Sequence, residues 1–163
     1  MRWVSPEHLR VTHGEIREGR IVSRAMRAVA LASRGDAASL VFTLHGIVFD
    51  PTPKLGVELR AANTSHLVYV MWRLIPKTRL TVQVKAPDAS YLRVKPIHSE
   101  LLDVPELGRA QKLAARIEGD RLSAWIENHL VWMGVLPPPA RALVGFAGMR
   151  ADHVAADVAL AAD

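Results

Sequence analysis

The strongest constraint on the fold is a regular alternation of apolar and polar residues in segment 116–132, RIEGDRLSAWIENHLVW. Successive side chains of a β-strand point to opposite faces of a sheet, so this alternation is typical of half-buried strands. One face would carry Leu122, Ala124 and Ile126, and the other Arg121, Ser123, Trp125 and Glu127. Two turn signals, Gly119-Asp120 and residues 127–129, divide the segment into two antiparallel strands and the start of a third.

Short strand patterns recur along most of the chain, separated by Gly, Pro, Asn and Asp. They cover residues 11–21, 39–49, 55–61, 67–73, 79–85, 91–94, 130–136, 144–149 and 153–160. Two other segments are rich in helix-forming residues: we expect 22–33 to be a strand nonetheless, and 106–115 to be a loop or short helix. Many short strands at regular spacing predict an all-β sandwich or barrel.

The composition fits one domain that spans residues 1–163. The absence of cysteine excludes disulfides, thiolate metal sites and a cysteine nucleophile. No apolar segment has the length of a signal-peptide core or a membrane span. We therefore expect a cytoplasmic protein, or a secreted one if a signal peptide has been removed. The net charge is +5, but the arginines are scattered, so neither nucleic acid nor membrane is an expected partner.

The order of these features resembles the concanavalin-A-like jelly rolls, which include laminin-G-like and keto-disaccharide hydrolase-like domains. Segments 115–139 and 144–160 resemble the closing strands of that group, with family positions filled by Gly119-Asp120, Asn128-His129, Gly145, Gly148 and Arg150. Segment 13–21 resembles its early hairpin, and segment 55–72 a strand pair that includes Gly56, Arg60, Asn63, Leu67 and Tyr69. The resemblance implies an all-β, two-sheet antiparallel jelly-roll sandwich that binds ligands on its concave sheet.

The candidate ligand-binding residues are those expected on the non-core face of the middle strands. They are Glu58, Arg60, Trp72, Gln83 and Arg93. Glu58 and Arg60 lie two residues apart, so a regular strand would project them to the same face. Trp72 could stack on a sugar ring, and Glu58 could accept hydrogen bonds from hydroxyl groups. The candidate acid or base residues are Glu58, His45 and Tyr91.

No metal or cofactor is expected. The seven histidines are dispersed without HxH or HExxH spacing, and no dense acidic loop suggests calcium. The GxSxG, GxGxxG and GxxxxGK[ST] motifs are absent. The paired-glutamate motif of the glucanase branch is also absent, which argues against a retaining glycosidase.

Three hypotheses for the function follow. The first is a binding protein that recognises a carbohydrate or glycoconjugate on its concave face, and it rests on analogy of fold. The second is a small metal-independent enzyme, such as a cyclase, isomerase or lyase, that uses an acid or base in the same cleft. The third is a structural or oligomerising module, which would form a homodimer through exposed edge strands.

Overall fold

The structure, a computed structural model, describes residues 1–12, 16–17, 20–23, 26–47, 53–74, 78–87 and 89–163. These residues form two antiparallel sheets, a 3-10 helix at Pro6–His8 and a short helix, α1, at Pro138–Arg141. The strands are β1 Arg2–Trp3, β2 Leu9–Thr12, β3 Ile16–Arg17, β4 Arg20–Ser23, β5 Met26–Ala30, β6 Ala37–Ile47, β7 Lys54–Asn63, β8 His66–Arg73, β9 Arg79–Ala86, β10 Ala89–Arg93, β11 Pro96–Ser99, β12 Ala110–Glu118, β13 Arg121–Ile126, β14 His129–Val135, β15 Phe146–Asp152 and β16 Val154–Ala162. No helix within the described residues has the length and apolar character needed to cross a membrane.

Each of the two sheets pairs some strands that lie far apart in the sequence. The nine-stranded sheet has the order β11-β14-β13-β12-β6-β16-β4-β3, with β1 also paired to β16. The seven-stranded sheet has the order β10-β9-β8-β7-β15-β5-β2. The last two strands of the chain thus lie inside the two sheets, β15 in one and β16 in the other. This topology confirms the predicted all-β, two-sheet antiparallel jelly-roll sandwich.

Segment 116–132 forms part of three consecutive antiparallel strands, β12, β13 and β14. Leu122 and Ala124 face the core as predicted, opposite Ile117 and Ala115 of β12. The turn before β14 has positive φ at Glu127 (49°) and Asn128 (67°), which is the geometry of a type I′ hairpin turn. The alternation and both turns are therefore confirmed, although β14 already begins at His129.

The core lies between the sheets and takes alternate residues from each. Alternating apolar residues of β6, β7 and β9 are all buried there: Leu40, Phe42 and Leu44 of β6, Leu55, Val57 and Leu59 of β7, and Leu80, Val82 and Val84 of β9. Phe42 and Trp72 join the sheets through an edge-to-face contact, with ring centroids 5.6 Å apart and an interplanar angle of 82°. The residues that alternate with them face the outer surfaces of the two sheets.

The two segments rich in helix formers both form strands. Segment 22–33 contains β5, as expected, but the prediction of a loop or short helix for 106–115 is wrong beyond its first few residues. A turn at 107–108 leads directly into β12, whose residues 110–116 pair with β6. Pairing on both edges of β12 overrides the local helix propensity.

The predicted early hairpin is present as an antiparallel pair, with Ile16 opposite Ile21 and Arg17 opposite Arg20. Residues 13–15 and 18–19 of that motif lie outside the described residues.

Candidate functional site

A row of polar side chains crosses the outer face of the seven-stranded sheet. Glu58 on β7 lies opposite Tyr69 on β8, and Tyr69 lies opposite Gln83 on β9. Directly opposed residues of antiparallel strands point to the same face, so the three side chains are neighbours. They line a cavity of about 140 Å³, with the exposed Tyr91 of β10 at its rim. We call this space the outer-face cavity.

Glu58 is a fully buried carboxylate that is held by one arginine. Arg27 on β5 donates from Nε to both carboxylate oxygens, at 2.8 Å to Oε1 and 2.6 Å to Oε2. The side chain of Glu58 is 0% exposed and that of Arg27 is 11% exposed. Burial raises the pKa of Glu58, and the charge and hydrogen bonds of Arg27 oppose part of that rise. Arg27 therefore favours the ionised form at the wall of the cavity.

The hydroxyl of Tyr69 is buried and has no hydrogen-bond partner. The ring packs with Ala61, Leu67 and Met71 in a small apolar cluster on the outer face. Burial raises the pKa of Tyr69 well above its ordinary value, and the charge of Asp152 raises it further. A buried hydroxyl without a partner costs about 1–3 kcal/mol, and a ligand that supplies a partner recovers part of that cost.

Two glycines allow neighbouring backbones to pack closely beside this row. Gly148 on β15 lies opposite Glu58, and Gly56 on β7 lies opposite Met71. A Cβ atom at Gly56 would overlap the carbonyl oxygen of Val70, so even alanine would force the backbone to shift there. A Cβ atom at Gly148 would likewise come within 2.7 Å of the carbonyl oxygen of Ala28, so close backbone packing requires glycine at both positions.

Basic side chains complete the lining of the outer-face cavity. Lys54, Lys85 and Arg150 all contribute to it. Arg150 donates from Nε to Asp152, at 3.3 Å to Oδ1 and 3.1 Å to Oδ2. Lys54 Nζ lies 3.9 Å from Asp152 Oδ2.

The predicted ligand-binding set did not include several of these residues, and the sequence signalled some of them. Arg150 occupies one of the family positions of the resemblance, together with Gly145 and Gly148, and Lys85 lies in the alternating segment 79–85. Tyr69 belongs to the motif of the strand pair. The sequence did not indicate that Arg27 belongs to the site, because β5 is brought there by pairing with β15, a distant part of the chain.

Arg60 leaves the face that it was expected to share with Glu58. Leu59 pairs with Val68 and Asn63 pairs with His66, so residues 60–62 bulge opposite a single residue of β8. Arg60 has a positive φ of 49° at this bulge. Its expected place beside Glu58 is therefore wrong.

The guanidinium of Arg60 is engaged elsewhere in the fold. It donates from Nε to Asp36 Oδ1 at 2.7 Å and from Nη1 to the carbonyl oxygen of Ala140 at 3.2 Å.

Trp72 was expected on the ligand-binding face, and that placement is also wrong. It lies opposite Leu55 and Leu80, both core residues, and is 2% exposed. Because Tyr69 faces outwards, the alternation along β8 turns Trp72 inwards.

His45 and Arg93 lie away from the outer-face cavity. His45 is on β6 of the other sheet, where its Nε2 lies 2.8 Å from Asp157 Oδ2. Arg93 pairs with Gln83 in register, but it lines a separate cavity of about 90 Å³ with Arg79 and other residues. The fold therefore brings together Glu58, Gln83 and Tyr91 from the predicted set.

A larger cavity of about 440 Å³ lies beside the loop formed by residues 100–109. Its lining includes Gln111 of β12 and Trp72, whose indole N–H is buried without a partner. The carboxylate of Glu100 at this cavity is hydrogen-bonded to two histidines, His98 and His129, whose Nε2 atoms each lie 2.8 Å from one of its oxygens. Those hydrogen bonds lower the pKa of Glu100, His129 contributing more than His98.

Within the described part of the chain, no group of three or more His, Cys, Asp or Glu side chains is arranged to hold a metal ion. The expectation that no metal or cofactor is required stays a prediction.

No protein-family model matches the chain, and a search of curated protein sequences gives no match. Similar solved structures include carbohydrate-binding module CBM66 from Bacillus subtilis, with a TM-score of 0.68 and 12% identity over 93% of this chain and 91% of that one. The carbohydrate recognition domain of Emp46p has a TM-score of 0.62 and 14% identity, over 94% and 88% of the two chains. A tetrameric galectin from the ball sponge Cinachyrella sp. has a TM-score of 0.55 and 12% identity, over 85% and 98%. At such low identity the likeness concerns the fold, and the chain has the lectin-like jelly-roll fold that the concanavalin-A-like resemblance implied.

Proposed function

We propose that the protein is a carbohydrate-binding β-sandwich whose outer-face cavity takes part of a saccharide. The observation that carries this proposal is the row Glu58, Tyr69 and Gln83, where a buried hydroxyl without a partner adjoins an amide and a carboxylate. Saccharide hydroxyl groups both donate and accept hydrogen bonds, so they can supply the missing partner of Tyr69 and also pair with the amide and with carboxylate lone pairs that Arg27 leaves free. The fold is shared with a carbohydrate-binding module, a carbohydrate recognition domain and a galectin, which supports the proposal by analogy.

The size of the cavity suggests how much of a saccharide it takes. Its volume of about 140 Å³ is well below the roughly 300–1,000 Å³ of a site for a drug-sized ligand. One sugar ring would therefore contact the polar row, and the rest of the chain would extend over the open sheet face. The exposed ring of Tyr91 offers an apolar surface beside the cavity on which a second sugar can pack.

The enzyme hypothesis has less support than the binding hypothesis. An acid or base must exchange a proton with the substrate, and Arg27 opposes protonation of Glu58 by donating to both of its oxygens. His45, another candidate, lies on the opposite sheet, so it and Glu58 do not form one site. The geometry thus favours recognition over proton transfer.

The test is a glycan array that includes neutral and acidic oligosaccharides, followed by calorimetry on the hits. Gln83→Ala and Tyr69→Phe should each weaken binding about tenfold, since each removes a buried hydrogen bond to the ligand. Tyr69→Phe should leave the free protein at least as stable as before, because its hydroxyl has no partner there. Gln111→Ala, in the larger cavity, is the matched control and should leave the affinity unchanged.

The outcomes separate the alternatives. If Gln111→Ala weakens binding and Gln83→Ala does not, the ligand occupies the larger cavity and the proposed site is wrong. If no oligosaccharide on the array binds, the proposed function is wrong.

We also propose that residues 1–163 form one domain, because one buried apolar cluster extends from Met26 to Ala162. A homodimer through edge strands stays a prediction. The edge strand β11 is exposed at every residue, and light scattering at high concentration tests whether it associates.

A further inference from the structure

The outer-face cavity carries more positive than negative charge. Among the described residues that line it, Lys54, Lys85 and Arg150 are basic, and Glu58 is the one acidic residue. Asp152 lies next to this lining and is also buried. A ligand that enters the cavity therefore meets an excess of cations.

Both nearby carboxylates are already engaged by arginines. Glu58 accepts from Arg27 at 2.8 and 2.6 Å, and Asp152 accepts from Arg150 at 3.3 and 3.1 Å. Each ion pair is close to neutral as a unit, so the positive charge that remains belongs to the two lysines.

With the described residues, the two lysines make long contacts. Lys54 Nζ lies 3.9 Å from Asp152, well beyond the roughly 2.7–2.9 Å of a charge-assisted hydrogen bond. Lys85 Nζ lies 3.5 Å from the carbonyl oxygen of Thr64. Each ammonium group has three donors, so both keep capacity for a ligand.

The surroundings of Lys54 already disfavour its charge. Burial lowers the pKa of Lys54, and the charges of Arg150, Arg73 and Lys85 lower it further, although Asp152 acts in the opposite direction. Cations gathered in a partly desolvated space repel one another, and a bound anion would relieve that repulsion.

We propose that the saccharide bound here is acidic, and that Lys54 and Lys85 bind its carboxylate or sulfate while Glu58, Tyr69 and Gln83 contact its hydroxyl groups. This inference rests on the proposed function and adds the chemical class of the ligand. The buried, unpartnered hydroxyl of Tyr69 in the same cavity is independent evidence that a ligand is received there.

The experiment compares oligosaccharides that differ only in charge. Calorimetry on the full chain would use a neutral oligosaccharide, its uronate counterpart and its sulfated counterpart. At least one acidic form should bind about tenfold more tightly than the neutral form, because a charge-assisted hydrogen bond replaces a neutral one. The uronate and sulfate arms show which anion the lysines accept.

Variants that remove a lysine charge then show which residues cause the preference for the acidic ligand. Lys54→Met and Lys85→Met should each lose about tenfold affinity for the acidic ligand and keep their affinity for the neutral one. Lys112→Met is the matched control, because its ammonium lies on the other sheet, 3.5 Å from Asn128 Oδ1. Its affinity for the acidic ligand should equal that of the unaltered protein.

Two results would overturn the proposal in different ways. Equal or tighter binding of the neutral oligosaccharide overturns the acidic ligand and leaves carbohydrate binding intact. Absence of binding by all three oligosaccharides and by the wider array overturns both. A preference for acid that survives Lys54→Met and Lys85→Met together also refutes the assignment of these residues.

Discussion

Removal of the Arg27 side-chain charge should expose the cost of burying Glu58. The carboxylate is 0% exposed, and both its oxygens are held by Arg27. Removing one partner of a buried ion pair costs about 3–5 kcal/mol, because the other charge stays buried without compensation. The charges of Arg150 and Lys85 also favour the ionised Glu58. We therefore expect Arg27→Met to lower the free energy of unfolding by about 3 kcal/mol, near the lower end of that range.

Urea unfolding at neutral pH measures this change as a lower free energy of unfolding. A loss of about 3 kcal/mol should also lower Tm by about 6–12 °C for a chain of this length. The double variant Arg27→Met/Glu58→Gln should regain most of the lost stability, since no buried charge remains. The exposed pair Arg116–Glu118, with side chains 48% and 76% accessible, supplies the control. Arg116→Met should change stability by less than about 1 kcal/mol.

The direction of the pKa shift of Glu58 determines how the stability loss of Arg27→Met depends on pH. The pKa of Glu58 is raised above its ordinary value of 4.5, and loss of Arg27 should raise it further. A carboxyl with a raised pKa in the folded state destabilises the protein as pH rises through the window between the unfolded and folded values. The deficit of Arg27→Met relative to the unaltered protein should therefore shrink as pH falls from the pKa of Glu58 in the folded variant to its lower pKa in the folded unaltered protein, and stay constant below that.

Two results would refute this account of the pair. A cost of Arg27→Met below about 1 kcal/mol would place Glu58 in contact with solvent, as in a surface pair. A double variant as unstable as Arg27→Met would mean that the arginine stabilises the fold by packing and not by charge.

Two further predictions concern the neighbours of this pair. Gly56→Ala should lower the free energy of unfolding by about 1–3 kcal/mol, because its Cβ would overlap the carbonyl oxygen of Val70. Gly46→Ala, whose Cβ would have its nearest neighbour at 3.9 Å, should be neutral or stabilise by about 0.4–1 kcal/mol, and equal effects of the two changes in urea unfolding would contradict the overlap. In Tyr91→Phe, Tyr69 is the remaining tyrosine, and its phenolate absorbance should appear only when the protein unfolds at high pH, since burial raises its pKa. Ionisation in the folded protein at the ordinary tyrosine value of 10.0 would show that the hydroxyl is accessible.

The sequence predicted the fold because the fold is encoded in strict alternation. Leu122 and Ala124, like Val82 and Val84, fall on core faces in the structure as their spacing requires. Turn chemistry supplied the boundaries, as at Asn128, which adopts the left-handed conformation that asparagine tolerates. The local helix propensity gave a wrong prediction at the start of β12, because pairing with strands on both sides decides the conformation there.

The orientation of Trp72 was predictable in principle. The turn after Asn63 pairs it with His66, and counting back along a regular ladder puts Trp72 opposite Val57 on the core face. The bulge shifts the pairs beyond it by two residues, so Trp72 meets Leu55 instead, but its face is unchanged. Counting the register, and not the aromatic character of the residue, would have excluded Trp72 from the ligand-binding face.

The position of Arg60 was not predictable in this way, because a bulge is a property of the packed sheet. Gly35 packs against this bulge, and its carbonyl oxygen accepts from Arg60 N at 2.8 Å. A Cβ atom at Gly35 would come within 2.8 Å of Arg60 Cα, so this approach depends on a glycine 25 positions earlier in the chain. No local pattern around residue 60 carries that information.

The candidate site itself arises where the regular sandwich is interrupted. A fully regular sheet face would carry a side chain at every second position, and such a layer has no cavity. Here the outer-face cavity is lined by Glu58, Tyr69 and Gln83, so a buried carboxylate and a buried hydroxyl without a partner adjoin it. Both the unpartnered hydroxyl and the buried charge oppose stability, so their placement side by side on an otherwise well-packed sheet is the physical reason to seek the ligand there.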